Sequence, residues 1–445
     1  MLDVVQRNSP PALAGTREPG PPANSQVHSV IFFIGDGMAA VQRTLARLSL
    51  GDPAPGRLLS MDRMPVLGEY MTHSADAIVT DSAASGTAMS TGHKTNNKML
   101  GVDPSGKPFP TILEQCRNSG MSVGLITTTT ITHATPAAFG SHVAAREDEL
   151  QVALQYATLY PDVLMGGGRD NFLPTSQGGK REDGQDLISR FRSKGYAILE
   201  TGEDLSHFQG KGKVLALFSR NEMAFELDRP KTREPSLFQM TQKGIEILSR
   251  NPKGFFLMVE GGKIDWACHA NDAACSIADT LAFDRAIQGG LDFAKKEKRT
   301  LVLVANDHET GGMAITKKAN LAFLSGAKAS IAQTASFLSH DKSIDTAQIV
   351  SDNLGIRDLS EKEIKKINSL RQEDAREKSY IDNSLRNALG ELVAKRSGIA
   401  FATHDHTAVV GTISAAGPGA VEFTGLYDNT EIPRKIARLL KISLP

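Results

Sequence analysis

Cysteine is scarce in this sequence: there are three, Cys116, Cys268 and Cys275. An odd number argues against a disulfide framework, and the absence of C-x-x-C spacing argues against a thiolate zinc site. All three are expected to serve as small buried hydrophobes. Charge of one sign is lacking as well, since 50 Lys and Arg balance 50 Asp and Glu. There is therefore no nucleic-acid-binding signature and no polybasic surface for a membrane. No apolar run approaches the roughly 18 residues of a membrane span. Internal repeats are missing. Residues 1–26 have no charged start followed by an apolar stretch; rich in Pro, Gly and Ala, they read as a disordered arm.

What is present is 40% hydrophobic residues over 445 positions, enough for a large core. Length alone allows roughly three domains, but the patterning points to one α/β domain over 27–445. Short apolar runs at Val30–Ile34, Ser122–Ile126, Gly254–Val259 and Thr300–Ala305 read as buried strands. Helical stripes lie between them, one through Leu237, Met240, Ile247 and Leu248, another through Ile277, Leu281, Ile287 and Leu291. Strands alternating with helices predict a three-layer α/β sandwich around a mainly parallel central sheet. Residues from about 315 to 400 are more polar, with a capping box at Ser360 and Glu363 and a stripe at Leu385, Leu389, Leu392 and Val393. They predict a helical insertion.

The polar residues that follow the apolar runs carry the chemistry. Asp36 follows the first, His133 and Thr135 the second, Glu260 the third, Asp307 and His308 the fourth. Ligands of open parallel sheets bind beyond the carboxyl ends of the strands. One such residue would be a cap or a turn former; four strands delivering acids, imidazoles and a hydroxyl to one rim point to a metal site. Asp265 and His269 stand four apart, which on a helix puts both on one face. Alone, D-x-x-x-H is a common surface pattern, but here it follows Glu260-Gly261-Gly262. Carboxylates and imidazoles without thiolates suit zinc, and oxygen-rich positions suit magnesium. In Thr80-Asp81-Ser82-Ala83-Ala84-Ser85, small residues after Ser82 place it at a helix N-terminus, where amides and the dipole favour an anion. By itself that serine or Asp81 would be a cap; beside a metal it has a route to an alkoxide.

These runs resemble the alkaline phosphatase family. The resemblance rests on Phe33-Ile34-Gly35-Asp36-Gly37-Met38, on Thr80 to Ser85 and on Ser90-Thr91-Gly92-His93-Lys94-Thr95. It continues through His133-Ala134-Thr135-Pro136-Ala137, Val259-Glu260-Gly261-Gly262, Asp307-His308-Glu309-Thr310-Gly311-Gly312 and His406-Thr407-Ala408. It implies two zinc ions and one magnesium. The first zinc would take Asp265, His269 and His406; the second Asp36, Asp307 and His308; the magnesium Asp36, Thr135 and Glu260. Of two nearby histidines, His406 rather than His404 fits, because Thr407 follows it. The resemblance also implies phosphate monoester hydrolysis, with Ser82 as the nucleophile that forms a phosphoserine and Arg146 as the phosphate-binding fork. The alternative for Arg146 is a salt bridge at a helix start.

Small phosphate monoesters as substrates, a homodimer and a periplasmic or secreted location are implied in the same way. His133 stands where enteric bacterial members carry Asp and vertebrate members His. Trp266 stands where those members carry Lys or His, and other bacterial members have Trp. Both positions are expected to tune the third metal and the substrate. Two other readings compete: a phosphodiesterase or sulfatase-like relative on the same fold, and a metal- or phosphate-binding protein without catalysis. Comparing turnover of a monoester and a diester separates the first, and any release of phosphate excludes the second.

Overall fold

The computed structural model describes residues 26–51, 57–340, 343–371 and 383–445. The expected arm at 1–26 thus lies outside the described residues except for Gln26. The four apolar runs are the strands β1 (Ser29–Gly35), β3 (Ser122–Thr130), β7 (Phe255–Gly261) and β8 (Thr300–Asn306), and between them in chain order come β2 (Val66–Met71), β4 (Val163–Gly167), β5 (Ala197–Leu199) and β6 (Val214–Leu217). With Gly411–Ala416 and Gly425–Asp428 they form one ten-stranded sheet. Its order is Gly425–Asp428, β2, Gly411–Ala416, β8, β1, β7, β3, β4, β6, β5. Every neighbouring pair is parallel except the two that involve Gly411–Ala416, which runs antiparallel to both β2 and β8.

Burial on both faces explains the unbroken apolar runs. In β1, Val30, Phe32 and Ile34 join one core, while Ile31 and Phe33 join the other. Helices cover both faces. On one, the long helix Ala273–Glu297 presses Phe283 and Ile287 onto the second core. Ile277, Leu281 and Leu291, counted in its predicted stripe, are only half-buried. A Cβ on Gly290 would stand 2.8 Å from the Phe33 ring, so a helix interior tolerates glycine here because nothing larger fits. The three cysteines are buried and free.

Between residues 315 and 400 the described residues are helical, with Ile331–His340, Thr346–Leu354, Glu361–Leu370 and Ser384–Ser397 among the helices. They enclose their own apolar cluster, which includes Ile331, Leu338, Val350, Ile367, Leu385 and Leu389. Two-residue strands, Ala314–Ile315 and Ile399–Ala400, pair antiparallel where this stretch leaves and rejoins the main body. No helix among the described residues is long and apolar enough to cross a membrane.

Candidate active site

Strands β8, β1, β7 and β3 lie side by side, and their carboxyl ends are level. Gly35 pairs with Gly261 on one side and Asn306 on the other, so Asp36, Glu260 and Asp307 arrive at one rim. The turn after β1 requires Gly37: its φ is +65°, and a Cβ would stand 2.9 Å from Asp265 Oδ1. Its N–H donates to Asp307 Oδ1 at 3.0 Å, as does that of His308 at 2.9 Å. Both bonds fall on one oxygen of Asp307 and leave Oδ2 without a hydrogen bond.

Three ligand clusters result. The short helix Lys263–His269 sets Asp265 Oδ2 3.2 Å from His269 Nε2. His406 reaches them from the two-residue strand His406–Thr407, with its Nε2 3.2 Å from His269 Nε2 and 3.6 Å from Asp265 Oδ1. In the second cluster, His308 Nε2 lies 3.5 Å from Asp36 Oδ1 and 3.1 Å from Asp307 Oδ2. The His308 and His406 rings stack at 3.6 Å, which joins the two clusters. The third combines Asp36 with Glu260 and His133, and Thr135 stands beside Glu260. His133, expected to tune the third metal, thus stands within this cluster. His404 turns away, with Nδ1 2.8 Å from the His269 carbonyl. Three imidazoles share one arrangement. Nδ1 faces an outer partner (the Thr80 carbonyl for His406, the His404 carbonyl for His269, the Thr310 hydroxyl for His308) while Nε2 points inward. Such outer bonds fix the ring for coordination.

The donor set fits divalent cations. Both oxygens of Asp36, Glu260 Oε1, Asp307 Oδ2, the Thr135 hydroxyl and His133 Nδ1 are buried without a hydrogen bond. Groups in that state are costly unless something binds them. Four carboxylates, of Asp36, Glu260, Asp265 and Asp307, meet in this volume. Burial, and then the charges of Asp307, Asp265 and Glu260, push Asp36 well above the usual carboxylate range. Burial pushes Glu260 up to about 7. Burial acts the same way on Asp265, but His269, His406 and His308 outweigh it and hold this carboxyl well below the usual range. Burial and the neighbouring His308 hold His406 down at about 4. Divalent ions are the charges that such a site lacks.

Ser82 opens the helix Ser82–Thr91. Asp81 is the residue that caps it, accepting from Ala84 N at 2.9 Å. Ser82 is left uncommitted as a cap, and its Oγ lies 3.1 Å from His308 Nε2, at the edge of the second cluster. Arg146 lies in the loop before the helix Glu149–Leu159. It does make the salt bridge weighed against it, from Nη1 to Asp81 Oδ2 at 3.0 Å, and Nη2 lies 3.0 Å from His133 Nε2. Asp36 and Asp265 also act on its charge. Trp266 meets the His133 ring edge to face at 6.0 Å, and Lys263 Nζ stands 4.0 Å over the indole. All twelve residues singled out in the sequence therefore lie in one connected site.

Sequence reading missed the residues that hold this set. Asn97 accepts from Asp81 N and donates to the Val79 carbonyl, each at 3.0 Å. Lys98, with φ +71°, directs its N–H to Asp81 Oδ2. Thr310 links Asp265 to His308. The signal available was adjacency to a quoted run, Ser90 to Thr95 for the first two and Asp307 to Gly312 for the third.

A family model described as alkaline phosphatase matches residues 27–442. Alkaline phosphatase 4 of Bacillus subtilis is 35% identical over 432 residues, covering 94% of this chain and 89% of that protein. Among solved structures, a cold-active alkaline phosphatase from the psychrophile Shewanella sp. superposes with a TM-score of 0.81 at 32% identity, covering 93% of this chain and 99% of the other. Thermus thermophilus alkaline phosphatase gives 0.86 at 28% identity, covering 98% and 96%.

Proposed function

Since the chain belongs to the alkaline phosphatase family, a phosphomonoester hydrolase working through a phosphoserine with metal assistance, we propose that Ser82 is its nucleophile and Arg146 its phosphate fork. The observation that carries this reading is Ser82 Oγ at a helix N-terminus, 3.1 Å from His308 Nε2 and bordering a cluster of orphaned ligand atoms. Ser82 Oγ attacks phosphorus, a P–O bond forms, and the bond to the leaving alkoxide breaks. Water then cleaves the phosphoserine and frees inorganic phosphate. The amides at the helix N-terminus offset negative charge on the phosphoryl oxygens. Each Nη of Arg146 has two N–H groups and spends one on its present partner, so two remain for phosphate.

We propose zinc for the Asp265, His269, His406 cluster and for the Asp36, Asp307, His308 cluster. Magnesium, or another divalent ion, is proposed for Asp36, Glu260 and Thr135 with His133 beside them. The three-cluster arrangement and its nitrogen and oxygen donors support this assignment. Bound there, the ions would supply charge that favours a serine alkoxide and stabilises the attacking and leaving oxygens. Small monoesters as substrates, a homodimer and a periplasmic or secreted location complete the proposal, on the strength of family membership.

Ser82→Ala should lose nearly all turnover while keeping its metal content and phosphate binding. Acid-quenched wild-type protein should carry radiolabelled phosphate on Ser82. Turnover by the variant at a comparable rate would remove the serine from the mechanism.

A further inference from the structure

The ligand-bearing loops converge on a fifth buried carboxylate that carries no expected role. Glu309 sits between His308 and Thr310 and is buried. Its two oxygens collect four donors. Oε1 accepts from Gln42 Nε2 at 2.9 Å and Met313 N at 3.1 Å. Oε2 accepts from Gly312 N at 3.0 Å and from the Thr407 hydroxyl. Gln42, fully buried in the first turn of the helix Ala40–Ser49, extends the set. Its Oε1 accepts from Ala39 N at 3.0 Å, and its Nε2 also donates to the Thr310 carbonyl at 3.0 Å. Cys268 Sγ, next to His269, is 3.8 Å from the same nitrogen. The Glu309–Gln42 pair thus touches the segment after Asp36, the segment after His308 and the residue after His406.

We propose that Glu309 is a positioning residue for the first metal cluster, holding the His406 segment at coordination distance through Thr407 while Gln42 braces the carboxylate. This rests on the metal assignment made above. The argument is one of unequal anchorage. Asp307 and His308 follow directly on β8 in the middle of the sheet, and Asp307 is pinned by two amides. His406 belongs to a strand of two residues whose partner is Glu309–Thr310. Between Ala400 and Gly411 it is the chain's one element of regular structure among the described residues. Besides that ladder, His406 has its own Nδ1 contact with the Thr80 carbonyl. Loss of the Glu309 acceptor leaves the Thr407 hydroxyl and an adjacent amide unpaired, and the ladder loosens where it carries His406.

The experiment compares the full-length wild type with Glu309→Gln, Thr407→Val and Thr407→Ser. Zinc per chain is measured by elemental analysis across a series of chelator-buffered free zinc concentrations. His406→Ala identifies which zinc equivalent belongs to the first cluster. That equivalent should weaken by roughly ten- to a hundredfold in Glu309→Gln and Thr407→Val, the range seen when outer partners of metal ligands are removed. Thr407→Ser should bind as wild type, because it keeps the hydroxyl, and the other equivalents should not move. Unchanged zinc curves in both disruptive variants would overturn the proposal, as would equal weakening of every equivalent, which is general loosening. If Glu309→Gln does not fold, Thr407→Val decides alone, since it deletes one donor and leaves the carboxylate in place. Wild-type protein that binds no zinc would defeat the metal assignment itself, a result distinct from wild-type binding with indifferent variants.

Discussion

His133 cannot satisfy all its neighbours at once. Arg146 Nη2 donates to its Nε2 at 3.0 Å, while Nδ1 stands 4.0 Å from Glu260 Oε1. Burial and the Arg146 charge hold the imidazole down at about 3, so it is neutral at working pH. A neutral ring that accepts at Nε2 carries its proton on Nδ1. To bind a cation through Nδ1 the proton must move to Nε2, and the bond from Arg146 is lost. Aspartate has two oxygens and is free of this conflict: one accepts from Arg146, the other faces a cation or its water. His133→Asp should therefore raise the affinity of the third site for magnesium several-fold and make activity respond more strongly to added magnesium. Magnesium titration of activity, with metal content measured alongside, checks this; identical titration curves for the two proteins would place His133 outside the third site.

At the scale of elements, legibility depended on burial. Strands β1, β3, β7 and β8 are apolar on both faces, so their runs stand out, and most of the proposed ligands follow them. The other six sheet strands were not read. Strand β2 shows why: buried Gly68 and Tyr70 alternate with exposed Leu67, Glu69 and Met71, so the outward face is no more polar than the inward one. The strand Gly411–Ala416 has Ile413 as its one large apolar residue among small and hydroxyl ones, and its pairing partners lie far away in sequence. The ligands were legible because each follows a run or falls in a short motif. Gln42 and Glu309 were not, being 267 positions apart and joined only by the fold. The apolar outer face of β2 continues onto the edge strand, where Leu426 is 63% exposed beside Glu69. Apolar contact of this kind on a sheet edge fits the proposed contact between two copies of the chain. Leu67→Lys combined with Leu426→Glu should convert a dimer into monomers in sedimentation while the folded content stays unchanged. A wild-type monomer, or a variant still dimeric, would move the contact elsewhere.

Over the whole molecule, the carboxylate cluster should make stability depend on the proposed cations. In the unfolded chain Glu260 titrates near 4.5, and in the metal-free fold near 7. Its stabilising contribution is complete below the lower value and is lost as pH rises through the higher one. Asp36, raised by burial and its acidic neighbours, acts in the same direction. So do His269 and His308, whose carboxylate partners outweigh burial and raise them. His133 and His406 act oppositely, but their contribution is fully regained once pH exceeds the ordinary histidine value of 6.5. Metal-stripped protein should therefore lose thermal stability as pH rises above about 6.5, and zinc with magnesium should abolish most of that slope. Melting curves with and without chelator test this, and a stripped protein whose Tm is flat or rising there would contradict it.

The reversed strand bears on how the molecule is made. Strand β2 meets the sheet solely through Gly411–Ala416 and Gly425–Asp428, so Leu67 waits for a partner roughly 350 positions later in the chain. Such remote pairing is slow to form. A ribosome reading this message releases β2 early, with both its edges bare, and supplies the residues that cover them only after nearly everything else has emerged. His406 arrives just before those residues. The seating of β2 and the arrival of His406 thus belong to one late event, and a nascent chain halted short of it lacks both the strand that joins β2 to the sheet and a member of the proposed metal centre.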